Sequence, residues 1–208
     1  MLNFRWFSPH KDCKDRQNIF SFRDKSDIFA DGLFRQQKKI MYIGLLSDTH
    51  GTFDKPFRDF FEPVDEIWHA GDFGNFETFG AISVFKPLKG VYGNCDGQEL
   101  RYDNPLFRSF ECEGMKILMT HIGGYPGKYD RRAYSLIREY KPDIFICGHS
   151  HILKVINDKE NDLLAINPGA AGIFGFHTVR TALRFHIDNG TIHDMEVYNL
   201  PKTQGNIL

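Results

Sequence analysis

The sequence predicts a mixed α/β fold with a β-rich C-terminal end, and three features of its pattern predict it. Short apolar runs between residues 40 and 147 each stop at a polar fragment, as strands covered on both faces do where they meet a loop. Segments with apolar residues at helical spacing separate several of these runs. Beyond residue 151 the runs are divided by Asn, Asp, Pro and Gly reversals instead.

Residues 40–46 are almost continuously apolar and are ended by Ser47-Asp48, which predicts a buried first strand. Residues 55–61 follow with helical character. The short runs 66–70 and 87–92 deliver Asp72 and Asn94 and flank a helix-like segment at 76–85. The run 115–120 leads into His121 and the run 143–147 into Gly148, with 129–140 between them carrying Ala133, Leu136, Ile137 and Tyr140 at helical spacing. The remaining runs, 153–156, 163–166, 181–187 and 191–197, are parted by Asn161-Asp162, Pro168-Gly169 and Asp188-Asn189-Gly190, so a C-terminal β-meander is expected.

A chain of 208 residues, 41% hydrophobic and 14% aromatic, can bury roughly 70% of the surface its unfolded form exposes. No apolar stretch approaches the roughly 20 residues of a membrane helix, and a formal charge of −1 gives no basic footprint for nucleic acid. Cys13, Cys95, Cys112 and Cys147 show no paired spacing and read as free thiols of a reducing cytosol, so a cytoplasmic protein is expected. Residues 1–39 do not fit the domain expected over 40–208. They hold nine Lys or Arg, five Asp and phenylalanines at no clear period. A leader, a partner-binding extension and upstream codons ahead of a start at Met41 compete there; the last is the preferred expectation, because Met41 opens the first strand.

The polar fragments carry the chemistry. Asp48-Thr49-His50, Gly71-Asp72, Gly93-Asn94-Cys95-Asp96, His121 and Gly148-His149-Ser150-His151 all sit where an apolar run stops. Taken singly, Asp-x-His is more often a cap or turn, Gly-Asp is an ordinary turn dipeptide, and a lone histidine is usually a satisfied imidazole. Taken together they supply seven ligand candidates, namely Asp48, His50, Asp72, Asn94, His121, His149 and His151. Two carboxylates, one amide and four imidazoles suit divalent Mn, Fe, Co, Ni or Zn, and no thiolate lies at chelating spacing in the sequence.

The order and spacing of these fragments resemble the calcineurin-like metallophosphoesterase superfamily. The short distance from first to last motif and the cysteine in Gly93-Asn94-Cys95-Asp96 look like its small single-domain YfcE-type phosphodiesterases. The resemblance implies a four-layer α/β/β/α sandwich of two mixed sheets flanked by helices. It also implies two divalent transition-metal ions, Mn first among Mn, Fe, Ni, Co and Zn. Asp48, His50, Asp72 and His151 would hold one; Asp72, Asn94, His121 and His149 the other. A metal-bridging water or hydroxide would attack a small phosphodiester, with Asp72, Asn94 and His121 at the reacting centre. A homodimer or tetramer acting on a small phosphoester, without membrane or nucleic-acid partners, is expected with it. Phosphomonoesterase activity is an alternative, and so is a protein-binding scaffold, the role of the retromer subunit that shares the fold; degraded metal positions go with that role, whereas all seven are intact here.

One departure from the family pattern concerns leaving-group protonation. Many members have a histidine at the position of Cys95, paired with the following acid; here Asp96 is kept but a thiol precedes it. Cys95, Asp96, Asn167 and Gly169 are the substrate-binding candidates, the last two because Asn167-Pro168-Gly169-Ala170 matches the family's Asn-Pro-Gly loop, although a turn between strands explains it equally well. Residues 123–128 are expected to form a mobile lip, with Tyr125, Lys128, Arg131 or Arg132 meeting the substrate. His69 and His177 are spare imidazoles to which no role is assigned.

Overall fold

The computed structural model describes the backbone of residues 5–7 and residues 40–202. The expectation of a start at Met41 concerns the segment 1–39, of which all but residues 5–7 lies outside the described residues. Those three form a short strand, β1 (Arg5–Phe7), which the pattern did not announce.

The first parallel unit is β2 (Met41–Leu46), α1 (Lys55–Phe61), β3 (Glu66–His69), α2 (Phe76–Phe85) and β4 (Leu88–Gly90). After α3 (Gln98–Asp103) come β5 (Phe107–Cys112), β6 (Met115–Thr120), a small hairpin of β7 (Gly124–Tyr125) and β8 (Lys128–Tyr129), α4 (Arg131–Tyr140) and β9 (Ile144–Ile146). The chain closes with β10 (Leu153–Asp158), β11 (Leu163–Pro168), β12 (Val179–Asp188) and β13 (Thr191–Pro201). One sheet has the order β1-β13-β12-β2-β3-β4 and the other β10-β11-β9-β6-β5. Both are mixed: β2, β3 and β4 run parallel, as do β6, β9 and β11, while β12 and β5 pair antiparallel to their neighbours.

The period of 2 along each strand makes three cores. Ile43 and Leu45 of β2 face inward with Ile117 and Met119 of β6 and Ile144 and Ile146 of β9, filling the space between the sheets. Leu46 points the other way, onto the phenylalanines of α1 and Ile82 of α2. Leu118 and Phe145 likewise point out of the second sheet, onto Ala133, Leu136 and Ile137 of α4. Three apolar interfaces between four layers are the α/β/β/α sandwich. Helix ends follow local chemistry: Asn75 Oδ1 accepts from Thr78 N at 2.8 Å, Asp130 Oδ1 from Arg132 N and Ala133 N at 2.9 and 3.2 Å, and Lys141 closes α4 in a left-handed conformation ahead of Pro142.

The expected meander is corrected. β10 and β11 form a hairpin in the second sheet, whereas β12 and β13 form one in the first. The segment 169–178, with glycines at 169, 172 and 175, carries the chain between sheets instead of reversing it within one.

Candidate metal centre

The seven ligand candidates all lie just past the C-terminal ends of parallel strands, Asp48, His50, Asp72 and Asn94 from the first sheet and His121, His149 and His151 from the second. That end of an α/β sheet is where ligands bind, because the strands stop together and the loops converge. Backbone hydrogen bonds stitch the loops to one another. Asp48 N donates to Gly71 O at 2.9 Å, His50 N to Asp72 O at 3.1 Å and Gly148 N to His121 O at 2.9 Å; Ala171 N and Gly172 N donate to Ser47 O and Asp48 O at 2.9 and 3.0 Å.

Five of the seven candidates hold left-handed backbones: Asp48, His50, Asp72, His149 and His151 have φ of 53°, 44°, 58°, 68° and 57°. Such a conformation costs a non-glycine residue on the order of 1 kcal/mol. The surrounding loops impose it, and it turns Asp48, His50, Asp72 and His151 toward a common point.

Around that point the donors face each other. Asp72 Oδ2 lies 3.2 Å from His121 Nε2 and 3.9 Å from His50 Nε2, while its Oδ1 accepts from Cys95 N at 2.8 Å. His151 Nε2 is 3.1 Å from Asp48 Oδ1 and 3.3 Å from His50 Nε2. Asn94 Oδ1 is 3.1 Å from His121 Nε2. His121 Nδ1 donates to Ala70 O at 2.8 Å, which fixes the tautomer and leaves Nε2 toward the centre. Asp48, His50 and His151 form one donor cluster and Asp48, Asp72 and His121 another. His149 stands at the exposed rim, its ring edge-on to His121 at 5.3 Å, and belongs to neither cluster.

This donor set fits a divalent ion. Asp48 Oδ1 is buried and accepts no hydrogen bond, a costly state for a carboxylate oxygen unless a cation completes it. Burial works against a charged His121, but the Asp72 hydrogen bond and the Asp48 and Asp72 charges outweigh it and hold its pKa above the ordinary value. Asp72 sits below the usual carboxylate range, the His121 hydrogen bond and charge overcoming its desolvation. A divalent ion held here would compete with a proton for His121 Nε2.

The structure corrects one reading from the sequence spacing. Cys95 Sγ lies within 4.8 Å of donor atoms of His50 and Asp72, so the fold does bring a thiol to the centre. Burial, then the Asp72 carboxylate, push that thiol up to about 11.

The other candidates fall behind the centre. Asp96 is buried; its Oδ2 accepts from Asp72 N and Gly93 N at 3.0 and 2.8 Å and its Oδ1 from Gly74 N at 3.0 Å, so it shapes the Asp72 and Asn94 loops. Asn167 is a buried latch: Nδ2 donates to Gly148 O at 2.7 Å and Ser150 Oγ at 3.1 Å, and Oδ1 accepts from Gly169 N at 2.9 Å. Gly169, at φ 77°, lies where a Cβ would meet Thr181 Oγ1 at 2.0 Å. His69 is buried in β3. Gly71 N donates to its Nδ1 at 3.1 Å, so Nε2 carries the hydrogen and donates to Thr49 Oγ1 at 2.9 Å. His177 faces Gly172 O at 3.0 Å and packs its ring 5.2 Å from that of His151.

Beside Asn94 and His121 opens a cleft of about 720 Å³ lined also by Tyr92, Ile122, Arg131 and Arg132. The segment expected as a lip is the β7–β8 hairpin. Tyr125 and Lys128 belong to it and do not line the cleft; Tyr125 instead lies under Lys154 Nζ at 3.6 Å.

The chain belongs to the calcineurin-like phosphoesterase superfamily, whose domain matches residues 41–190. It is 30% identical over 135 residues, 62% of this chain and 77% of the relative, to a probable metallophosphoesterase of Methanothermobacter thermautotrophicus. Among solved structures it resembles a predicted phosphoesterase of Streptococcus pneumoniae (21% identity, TM-score 0.55, 79% of this chain and 91% of that one). It also resembles Vps29 of Entamoeba histolytica in complex with zinc (19% identity, TM-score 0.53, 76% and 99%). At those identities the two structures show the shared fold alone. Among the described residues no helix is long and apolar enough to cross a membrane.

Proposed function

We propose that the protein is a phosphodiesterase acting on small phosphodiesters through a dinuclear centre. Asp48, His50, Asp72 and His151 would hold one ion, and Asp72, Asn94, His121 and His149 the other. The observation that carries this reading is Asp72 Oδ2 lying 3.9 Å from His50 Nε2 and 3.2 Å from His121 Nε2, with Asp48 Oδ1, which accepts no hydrogen bond, 3.1 Å from His151 Nε2 beside them. Two divalent ions, Mn or else Fe, Ni, Co or Zn, would supply an activated water and neutralise charge on the phosphoryl oxygens.

The chain's own residues do the rest. Asn94 offers a neutral oxygen, so the centre keeps a net positive charge toward an anion. Arg131 and Arg132, on the wall of the adjacent cleft, orient the phosphoester oxygens by charge and hydrogen bonding. Asp96 keeps the Asp72 and Asn94 loops in register. A cleft of about 720 Å³ holds a small substrate.

The test is metal content together with turnover of an aryl phosphodiester and an aryl phosphomonoester. Asp72→Asn is the informative variant, because Asn tolerates the left-handed backbone at φ 58° and still accepts the Cys95 N–H, whereas Ala would add strain of its own. It should lower metal content and reduce diester turnover by about 10³-fold or more while leaving the circular dichroism unchanged. Undiminished turnover in Asp72→Asn or in chelated protein would overturn the mechanism. Monoester turnover exceeding diester turnover would favour the phosphomonoesterase alternative. The Vps29 likeness supports a second reading, a protein-binding scaffold; metal-loaded protein that turns over neither ester would favour it.

A further inference from the structure

At the opposite end of β2 from the centre, a second set of donors converges. His186 of β12 and His193 of β13 are cross-strand partners, and with Asp194 they form a cluster whose ligand atoms all lie within 4.8 Å of one another. His193 Nδ1 is 3.0 Å and His186 Nδ1 3.9 Å from the same oxygen, Asp194 Oδ2. The rings are held parallel: His186 stacks on Tyr42 at 4.0 Å and 9°, and His193 on His186 at 5.3 Å and 8°.

Two features separate this cluster from an ordinary surface ion pair. His186 Nδ1 is a buried polar atom that makes no hydrogen bond, although Asp194 Oδ2, which is bonded to His193 Nδ1 at 3.0 Å, lies only 3.9 Å away. The backbone is also bent to bring the acid there: the pairing register shifts between Arg184 and His186, and Asp194 adopts φ 51°. A bulge of this kind re-aims a side chain at a local cost in strand regularity. Two imidazole nitrogens and one carboxylate oxygen, separated by the edge lengths of a first coordination shell, suit Zn²⁺, Ni²⁺ or Cu²⁺, with water completing the shell.

We infer that His186, His193 and Asp194 form a second, separate transition-metal site at the β12–β13 hairpin. It is open to solvent on the side of His193 and Asp194, whose side chains are 40% and 72% exposed, so ions can exchange without unfolding.

The test is Zn²⁺ binding to the full chain at pH 7 by equilibrium dialysis, read as the difference between wild type and variants, with histidine imidazole NMR resonances as a second readout. Wild type should bind one more equivalent than Asp194→Asn. That variant is safe for folding, since position 194 is exposed and Asn accepts a left-handed backbone. His186→Phe, which keeps the stack on Tyr42 but lacks the nitrogen, should weaken the site by at least about tenfold, the cost that even outer-sphere changes carry. Zn²⁺ should shift the His186 and His193 resonances in wild type, and turnover of the aryl phosphodiester should be unchanged in both variants. Equal stoichiometry and affinity in wild type and Asp194→Asn, or unshifted His186 and His193 resonances at saturating Zn²⁺, would overturn the inference.

Discussion

At the scale of single residues, the proposed diesterase reading makes Cys95 the side chain that sets how much help a departing alkoxide receives. Its thiol faces the centre, its backbone N–H is taken by Asp72 Oδ1 at 2.8 Å, and a thiol is a weak hydrogen-bond donor. Rates should therefore depend steeply on leaving-group acidity, with aryl diesters far ahead of alkyl diesters. Cys95→His should flatten that dependence and raise alkyl diester turnover by about 10²-fold, the worth of a placed general acid. A linear free-energy series of leaving groups checks it; a flat wild-type series with chemistry rate-limiting would point to another acid. The residues that gather at the centre were legible because chemistry restricts their types: Asp48, His50, Asp72, Asn94, His121 and His151 all converge. The backbone that aims them was not legible. Left-handed φ at Asp48 is held by partners such as Gly71 O and Gly172 N, distant in sequence. The roles of Asp96 and Asn167 were hidden for the same reason, since nothing local distinguishes a carboxylate that accepts three backbone N–H groups from one that meets a substrate.

Elements are positioned by small residues as much as by apolar ones. Gly44 lies in β2 beneath α1, where a Cβ would stand 2.6 Å from Phe61 Cδ1 and 3.3 Å from Val64 Cγ2. Gly44→Ala must push α1 off the sheet, an overpacking that should cost about 1–3 kcal/mol, read as a lower urea midpoint with unchanged m-value. Where the pattern was strong the sequence reading met the structure, as at α4 (Arg131–Tyr140), whose Ala133, Leu136 and Ile137 are buried, and at the apolar run of β6 (Met115–Thr120). It missed α3, β5 and the β7–β8 hairpin. α3 has six residues with only Leu100 buried, too short to show a helical stripe, and β5 alternates partly buried with exposed side chains at a sheet edge. The meander failed because local turn signals say that a chain reverses but not which sheet receives the next strand.

For the molecule as a whole, His69 should make stability fall in acid. Burial is the main cause holding its imidazole down to about 3, against about 6.5 in the unfolded chain. The unfolded state binds this proton first, so the neutral folded form loses stability as pH falls from about 6.5 toward 3, by roughly 4 kcal/mol in total. Above pH 6.5 the contribution is level. Urea midpoints measured in chelator between pH 7.5 and 4.5 should fall in wild type and fall less in His69→Gln, which can keep the bond to Thr49; parallel slopes would assign the acid sensitivity elsewhere.

The stitching between loops also sets an order of events in the life of the chain. The carbonyls of Ser47 and Asp48 receive their hydrogen bonds from Ala171 and Gly172, and β2, which carries Asp48, takes its antiparallel neighbour from β12. The first ligand candidate to leave the ribosome thus waits for partners translated more than a hundred residues later. Until β12 has emerged and inserted beside β2, the nascent polypeptide offers only scattered aspartates and histidines to passing ions. On the proposed dinuclear reading, metal loading would follow completion of the chain and would be governed by which ion is abundant around the finished protein.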